Sequence, residues 1–194
     1  MPRVDDPNHA ALEAEILEIL ESRGYLVASA PYHDRMPSAL VRALSCNSFP
    51  TSLYLRTRAD RVAVNPGNGQ VFEWEAKTRD SSSSGMLLEA LPLAFHIVQA
   101  RYAVRCLYAF RNVRLGTNYG FWCRRAPAIE EIVIPTGNKV PNAVYWFKEV
   151  FDDAFPGIPV RTTTRVCGSN DPYAVIDRVC ELPHWRELLP GGAP

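Results

Sequence analysis

The sequence predicts an α/β fold, and three stretches carry that prediction. Residues 7–22 set Leu12, Ile16, Leu17, Ile19 and Leu20 at helical spacing. Residues 57–78 read as a β-hairpin, two alternating apolar runs around Asn65-Pro66-Gly67-Asn68-Gly69. Residues 86–101 return to helical spacing through Leu87, Leu88, Leu91, Phe95 and Val98, then lead into a strand-like run at 102–110.

In chain order, Asp5, Asp6 or Asn8 starts the first helix and Gly24 stops it, with a short strand at 25–29. Glu13, Glu15, Glu18 and Glu21 decorate the helix; three read as a solvated face and one as reaching toward the hairpin. Residues 31–37 and 48–52 read as loops, 38–44 as a short helix and 52–56 as a strand leading into the hairpin. A polar link at 80–85 follows the hairpin and is either a segment that orders on substrate binding or a plain connector. Pro92 kinks or divides the helix expected at 86–101. Further strands are expected at 120–123, 157–166 and 173–179, the last two paired around a turn at 168–172. An aromatic-rich helix is expected at 140–154, and the tail after Leu189 reads as frayed.

The hairpin holds the chemistry. With residues 66–69 as its loop, Asp60 falls opposite Glu75, Val62 opposite Glu73 and Val64 opposite Val71. Side chains alternate along a strand, so Asp60, Glu73, Glu75 and Lys77 share one face while Ala63, Phe72, Trp74 and Ala76 take the core face. Directly opposed carboxylates stand about 4.5–5.5 Å apart at Cβ and repel. A divalent cation between them relieves the repulsion, and hard oxygen donors suit Mg²⁺ or Mn²⁺. With Lys77 beside Glu75, the face outlines a metal-dependent phosphodiester-cleaving site. The alternative is an ordinary solvated strand pair that happens to carry these charges.

Composition sets the outer limits. A chain of 194 residues, 47% hydrophobic and 22% charged, suits an ordinary globular protein with one good core. No apolar run approaches the roughly 20 residues of a membrane span, and the N-terminus lacks signal-peptide order, so no membrane is expected and a cytoplasmic setting is. Five scattered cysteines lack Cys-x-x-Cys spacing, and the four histidines show no metal-ligand spacing, which excludes a zinc motif. Net charge is zero, but residues 56–125 hold eleven Lys/Arg against five Asp/Glu. That segment contains the hairpin and can engage phosphates although the whole chain is not basic. Arg56, Arg58, Arg61, Arg79, Arg101 and Arg105 are the candidate phosphate contacts, with Arg61 turned toward the core face by the proposed register.

The order helix, strand, strand, hairpin strand with Glu75-x-Lys77, helix, strand resembles the PD-(D/E)XK nuclease superfamily over residues 10–125. The first helix, with Glu15 ahead of Gly24-Tyr25, is most similar to archaeal-type and phage Holliday-junction resolvases. The resemblance implies a restriction-endonuclease-like α-β-β-β-α-β core with a mixed central sheet flanked by helices, plus a C-terminal α+β extension. The nuclease core would span 1–125, and residues 126–194 would pack on it as one structural domain. By the same resemblance Asp60 and Glu75 hold Mg²⁺, with Mn²⁺ as a substitute, assisted by the Ala76 carbonyl. Lys77 orients the attacking water, and Glu15 is the accessory acid. It further implies a structure-specific DNA endonuclease acting on branched DNA as a homodimer, with no nucleotide cofactor. A restriction- or repair-type nuclease on the same core, and a non-catalytic DNA-binding module of this fold, are the alternatives. Ala59 stands where the family has proline, and Glu73 is an extra acid on the face, a further ligand or a solvated group.

Overall fold

The computed structural model describes residues 6–29, 59–83, 85–100, 104–123, 160–163, 173–176 and 182–191. The expectations for 31–56, 140–154, Arg56, Arg58 and Arg101 lie outside the described residues. Helix α1 (Pro7–Ser22) begins where Asp6 accepts a hydrogen bond from the Asn8 N–H at 2.9 Å, with Pro7 pre-set for the first turn. Leu12, Ile16 and Leu20, four residues apart, are its buried stripe. Gly24, at φ +79°, closes the helix with its N–H on the Glu21 carbonyl, a backbone conformation that favours glycine.

Strands β1 (Leu26–Ser29), β2 (Arg61–Val64), β3 (Val71–Arg79) and β4 (Met86–Glu89) follow, then helix α2 (Ala90–Gln99), β5 (Arg105–Asn112) and β6 (Thr117–Trp122). Past these come β7 (Val160–Thr163), β8 (Tyr173–Ile176) and the short helix α3 (Trp185–Leu188). Among the described residues the strands make a five-stranded sheet, ordered β1-β2-β3-β5-β6, and a three-stranded sheet, ordered β4-β8-β7. In the larger sheet β3 and β5 run parallel and the other pairs antiparallel, so the sheet is mixed. The chain has an α/β fold, a mixed sheet with flanking helices in the expected α-β-β-β-α-β order, with β4 interposed.

The hairpin register is the one read from the sequence. Val62 pairs with Glu73 and Val64 with Val71, and the Asn65 N–H bonds the Gln70 carbonyl across a loop at 66–69. Gly69, at φ +71°, makes that loop possible. On one face Phe72, Trp74, Ala76, Leu107 and Ala109 pack with Leu12, Ile16 and Leu20 of α1, and with Trp185 and Leu189 at α3. On the other lie Cys106, Tyr108 and Phe110 of β5, in register with Glu73, Glu75 and Lys77.

One expectation is corrected and two are made more specific. The helix expected at 86–101 is a strand followed by a helix. Residues Met86–Glu89 pair with β8, and Pro92 lies in the first turn of α2, where its missing N–H has no intrahelical partner to lose. The polar link at 80–85 is pinned: Asn112 Nδ2 donates to the carbonyls of Ser81 and Ser83 at 2.9 and 3.0 Å, and Arg79 holds the Gly85 carbonyl. Of the tail after Leu189, Pro190 is tied down: Leu189 is buried, Arg23 donates to the Leu189 and Pro190 carbonyls at 3.1 and 2.9 Å, and residues 192–194 lie outside the described residues. Among the described residues, no helix is long and apolar enough to cross a membrane.

Candidate metal and nucleic-acid site

Asp60 occupies the bend just before β2, one register step beyond the Arg61–Trp74 pair and hence opposite Glu75. Two hydrogen bonds lock that juxtaposition. The Asp60 N–H donates to Glu75 Oε2 at 3.2 Å, and Asp60 Oδ2 accepts from the Ala76 N–H at 2.9 Å. Lys77, two residues along the same face of β3, places Nζ 2.5 Å from Glu75 Oε1.

This face is not a solvated strand pair. Glu73 is 1% exposed and Glu75 8%, whereas a surface hairpin leaves such side chains in water. Buried Tyr108 and Phe110 of β5 and Phe121 of β6 share this face, and α2 reaches it through His96 on Tyr108. Tyr108 bonds His96 Nδ1 at 2.8 Å and stacks on Phe121 with ring centroids 5.1 Å apart. In these surroundings burial, and then the neighbouring Glu75 charge, push the Asp60 carboxyl from 3.8 up to about 8. Glu73 is therefore no solvated bystander; it is an enclosed acid beside the pair.

The first helix contributes a different acid from the one expected. Glu15 is engaged by Arg111 of β5 and Arg186 of α3. Burial opposes its ionisation, but the two guanidiniums outweigh that and hold its carboxyl below the usual value. The α1 acid beside Asp60 is Glu13. One donor atom each from His9, Glu13 and Asp60 falls within 4.8 Å of the others. The physical reason is helical phase. At about 100° per residue, Glu13 and Glu15 flank the Leu12–Ile16 stripe on opposite sides, and only one flank faces the hairpin. Thr78 of β3 fixes that orientation by donating to Asp6 Oδ2 at 3.1 Å, which docks the start of α1 on the end of β3.

His9 escaped the sequence reading, and Glu13 was among the four helix acids of which one was expected to reach the hairpin, without being singled out. Their one available signal is the four-residue separation that stacks them on one helix face, a spacing as common in ordinary ion pairs. Of the candidate phosphate contacts, Arg61 is turned to the α1 side as the register implied, with its guanidinium 3.1 Å from Glu13 Oε2. Arg79 shares the face of Lys77, and its guanidinium Nη1 donates to the Gly85 carbonyl. Arg105 is exposed, stacks over Trp122 at 4.8 Å, and projects from the opposite face to Glu75.

A divalent cation suits these donors. Two carboxylates brought together under partial burial leave one of them protonated until a cation shares the space, and His9 Nδ1 is a buried nitrogen with no hydrogen-bond partner among the described residues. Hard oxygens dominate the set, as Mg²⁺ and Mn²⁺ require.

No protein-family model matches this chain, and no curated protein sequence matches it. Among solved structures it is similar to that of Hjc from Archaeoglobus fulgidus, described as a Holliday junction resolvase from an archaeal hyperthermophile. The match has 17% identity and a TM-score of 0.37, and covers 59% of this chain and 72% of that one.

Proposed function

We propose that this protein is a Mg²⁺-dependent DNA endonuclease that hydrolyses phosphodiester bonds in branched DNA as a homodimer. The observation that supports the reading most directly is the locked pair Asp60–Glu75, with Lys77 2.5 Å from Glu75, on an enclosed face. Pure fold architecture has no use for two acids pressed together where one must stay protonated. Asp60 and Glu75 would hold the cation, with Glu13 as the accessory acid in place of Glu15. A cation held by these residues would supply stabilisation for the charge that develops on the phosphate.

The rest falls to the chain itself. Glu75 Oε1 anchors Lys77 Nζ, which donates to the attacking water and steadies the phosphoryl oxygens as negative charge builds. Tyr108 and Phe110 form the apolar floor that keeps bulk water off the acids, and the His96 bond fixes the Tyr108 ring. Arg79 lies on the same face for a flanking phosphate. The preference for branched DNA and the dimer rest on the likeness of the first helix to junction resolvases, since resolving a junction needs two symmetric cuts.

Labelled four-way junction, linear duplex and single-stranded DNA, each with Mg²⁺, test the reading beside Lys77→Ala and Glu75→Ala. Cutting of the junction alone, lost in both variants, is the expected result. Cutting of duplex as well removes the junction preference and retains the nuclease. Salt-sensitive binding without cutting in Mg²⁺ or Mn²⁺ favours a non-catalytic DNA-binding module. Absence of any DNA binding sinks the proposal.

A further inference from the structure

We infer that His9 is a ligand of the metal centre, giving it a nitrogen donor that favours Mn²⁺ over Mg²⁺. This deepens the nuclease reading and rests on it. His9 and Glu13 lie one turn apart on α1 and project to the same side, with His9 Nε2 3.8 Å from Glu13 Oε1. That separation exceeds a hydrogen bond, so the pair is not closed on itself. Arg61 engages the other Glu13 oxygen, Oε2, which leaves Oε1 on the His9 side. Asp60 completes the triangle, every donor within 4.8 Å of the other two.

Ligands bonded at about 2.0–2.2 Å to one ion stand roughly 3–4 Å apart, so small side-chain rotations close the triangle on a cation. The ring nitrogen turned toward Glu13 is Nε2, and the other, Nδ1, is buried with no hydrogen-bond partner among the described residues. The identity of the ion follows from the donors. Mg²⁺ prefers oxygen and keeps its water, whereas imidazole nitrogen binds first-row transition ions better. Asp60 and Glu75 alone would make a centre indifferent between Mg²⁺ and Mn²⁺; His9 tips it toward Mn²⁺.

The test titrates Mn²⁺ and Mg²⁺ separately into the full chain by calorimetry and records electron spin-echo modulation of the Mn²⁺-loaded protein. Wild type should show coupling to a directly bound ¹⁴N nucleus, absent in His9→Ala. The variant should lose at least about tenfold in Mn²⁺ affinity while Mg²⁺ affinity changes by less than about twofold. His9→Gln, with an oxygen donor in place of the nitrogen, should show neither the nitrogen coupling nor the preference for Mn²⁺ over Mg²⁺, and thermal melts establish that both variants fold. Wild-type spectra without ¹⁴N coupling, no Mn²⁺ binding by wild type, or an unchanged Mn²⁺ to Mg²⁺ ratio in His9→Ala each overturn the inference. Cleavage insensitive to Glu75→Ala and Lys77→Ala sinks the nuclease reading separately, since nitrogen coupling is scored without DNA.

Discussion

Asp60 and Glu75 are held together by the backbone as much as by their own side chains. Glu75 Oε2 takes the Asp60 N–H, and Asp60 Oδ2 takes the N–H of Ala76, the residue after Glu75. The crossed bonds fix both carboxyls before any ligand arrives, so the site is preorganised.

The first prediction concerns pH. Folding raises the Asp60 carboxyl from 3.8 to about 8, so between those values the folded protein binds a proton that the unfolded chain has released. Stability from this group is fully present at low pH and declines as pH climbs toward 8. Urea unfolding at pH 5.5 and 8.5 should show Asp60→Asn gaining on metal-free wild type as pH rises. A gap between the two that stays constant with pH would count against the buried acid pair.

Metal binding should reverse that decline. A cation that binds only the folded protein stabilises it by about 2.7 kcal/mol at 100 times its Kd. At pH 7 it should also release close to one proton, because Asp60 starts protonated. Thermal melts with and without chelator, and calorimetry in buffers of different ionisation enthalpy, measure the two effects. Asp60→Asn should abolish the proton release.

Glu13 and Glu15 should separate cleanly. Glu13→Gln should impair metal binding and DNA cleavage while changing unfolding midpoints little. Glu15→Gln should leave the metal centre intact but loosen the contacts to Arg111 and Arg186, at about 1 kcal/mol of stability. Parallel metal titration and urea unfolding of both variants check this, and the opposite pattern would restore Glu15 to the site.

Gly120 marks the docking point of α3. A Cβ there would lie 2.8 Å from both Trp185 Cβ and the Tyr108 carbonyl, and the Gly120 N–H bonds the Pro183 carbonyl at 2.9 Å. Gly120→Ala should therefore destabilise by about 1–3 kcal/mol through overpacking. Trp185→Ala, opening a cavity between α3 and the sheet, should cost about 3–5 kcal/mol. Guanidinium melts read both, and a neutral Gly120→Ala would mean that α3 docks elsewhere.

Much of the site was legible in residues close in sequence. The turn at 66–69 sets the hairpin register by its length, and strand alternation then assigns Asp60, Glu73, Glu75 and Lys77 to one face with no further information. Helix α1 and its ends follow from Asp6, Pro7, the apolar spacing and Gly24 in the same way. The 86–101 stretch misled because Leu87, Leu88 and Leu91 fit helical spacing, while the partner that makes 86–89 a strand, β8, lies over 80 residues away.

By itself, then, the sequence determined the α/β order, the hairpin register and the shared face of the three candidate site residues it carries, because local sterics and the two-residue period suffice for those. Tertiary structure alone decided that this face is enclosed, that Glu13 and His9 rather than Glu15 approach Asp60, and that α3 closes the far side of the sheet. An amphipathic helix specifies which stripe it buries but not which flank of that stripe meets a given strand. That choice belongs to the docking of α1 on β3, made by contacts such as Thr78–Asp6 between residues 72 positions apart.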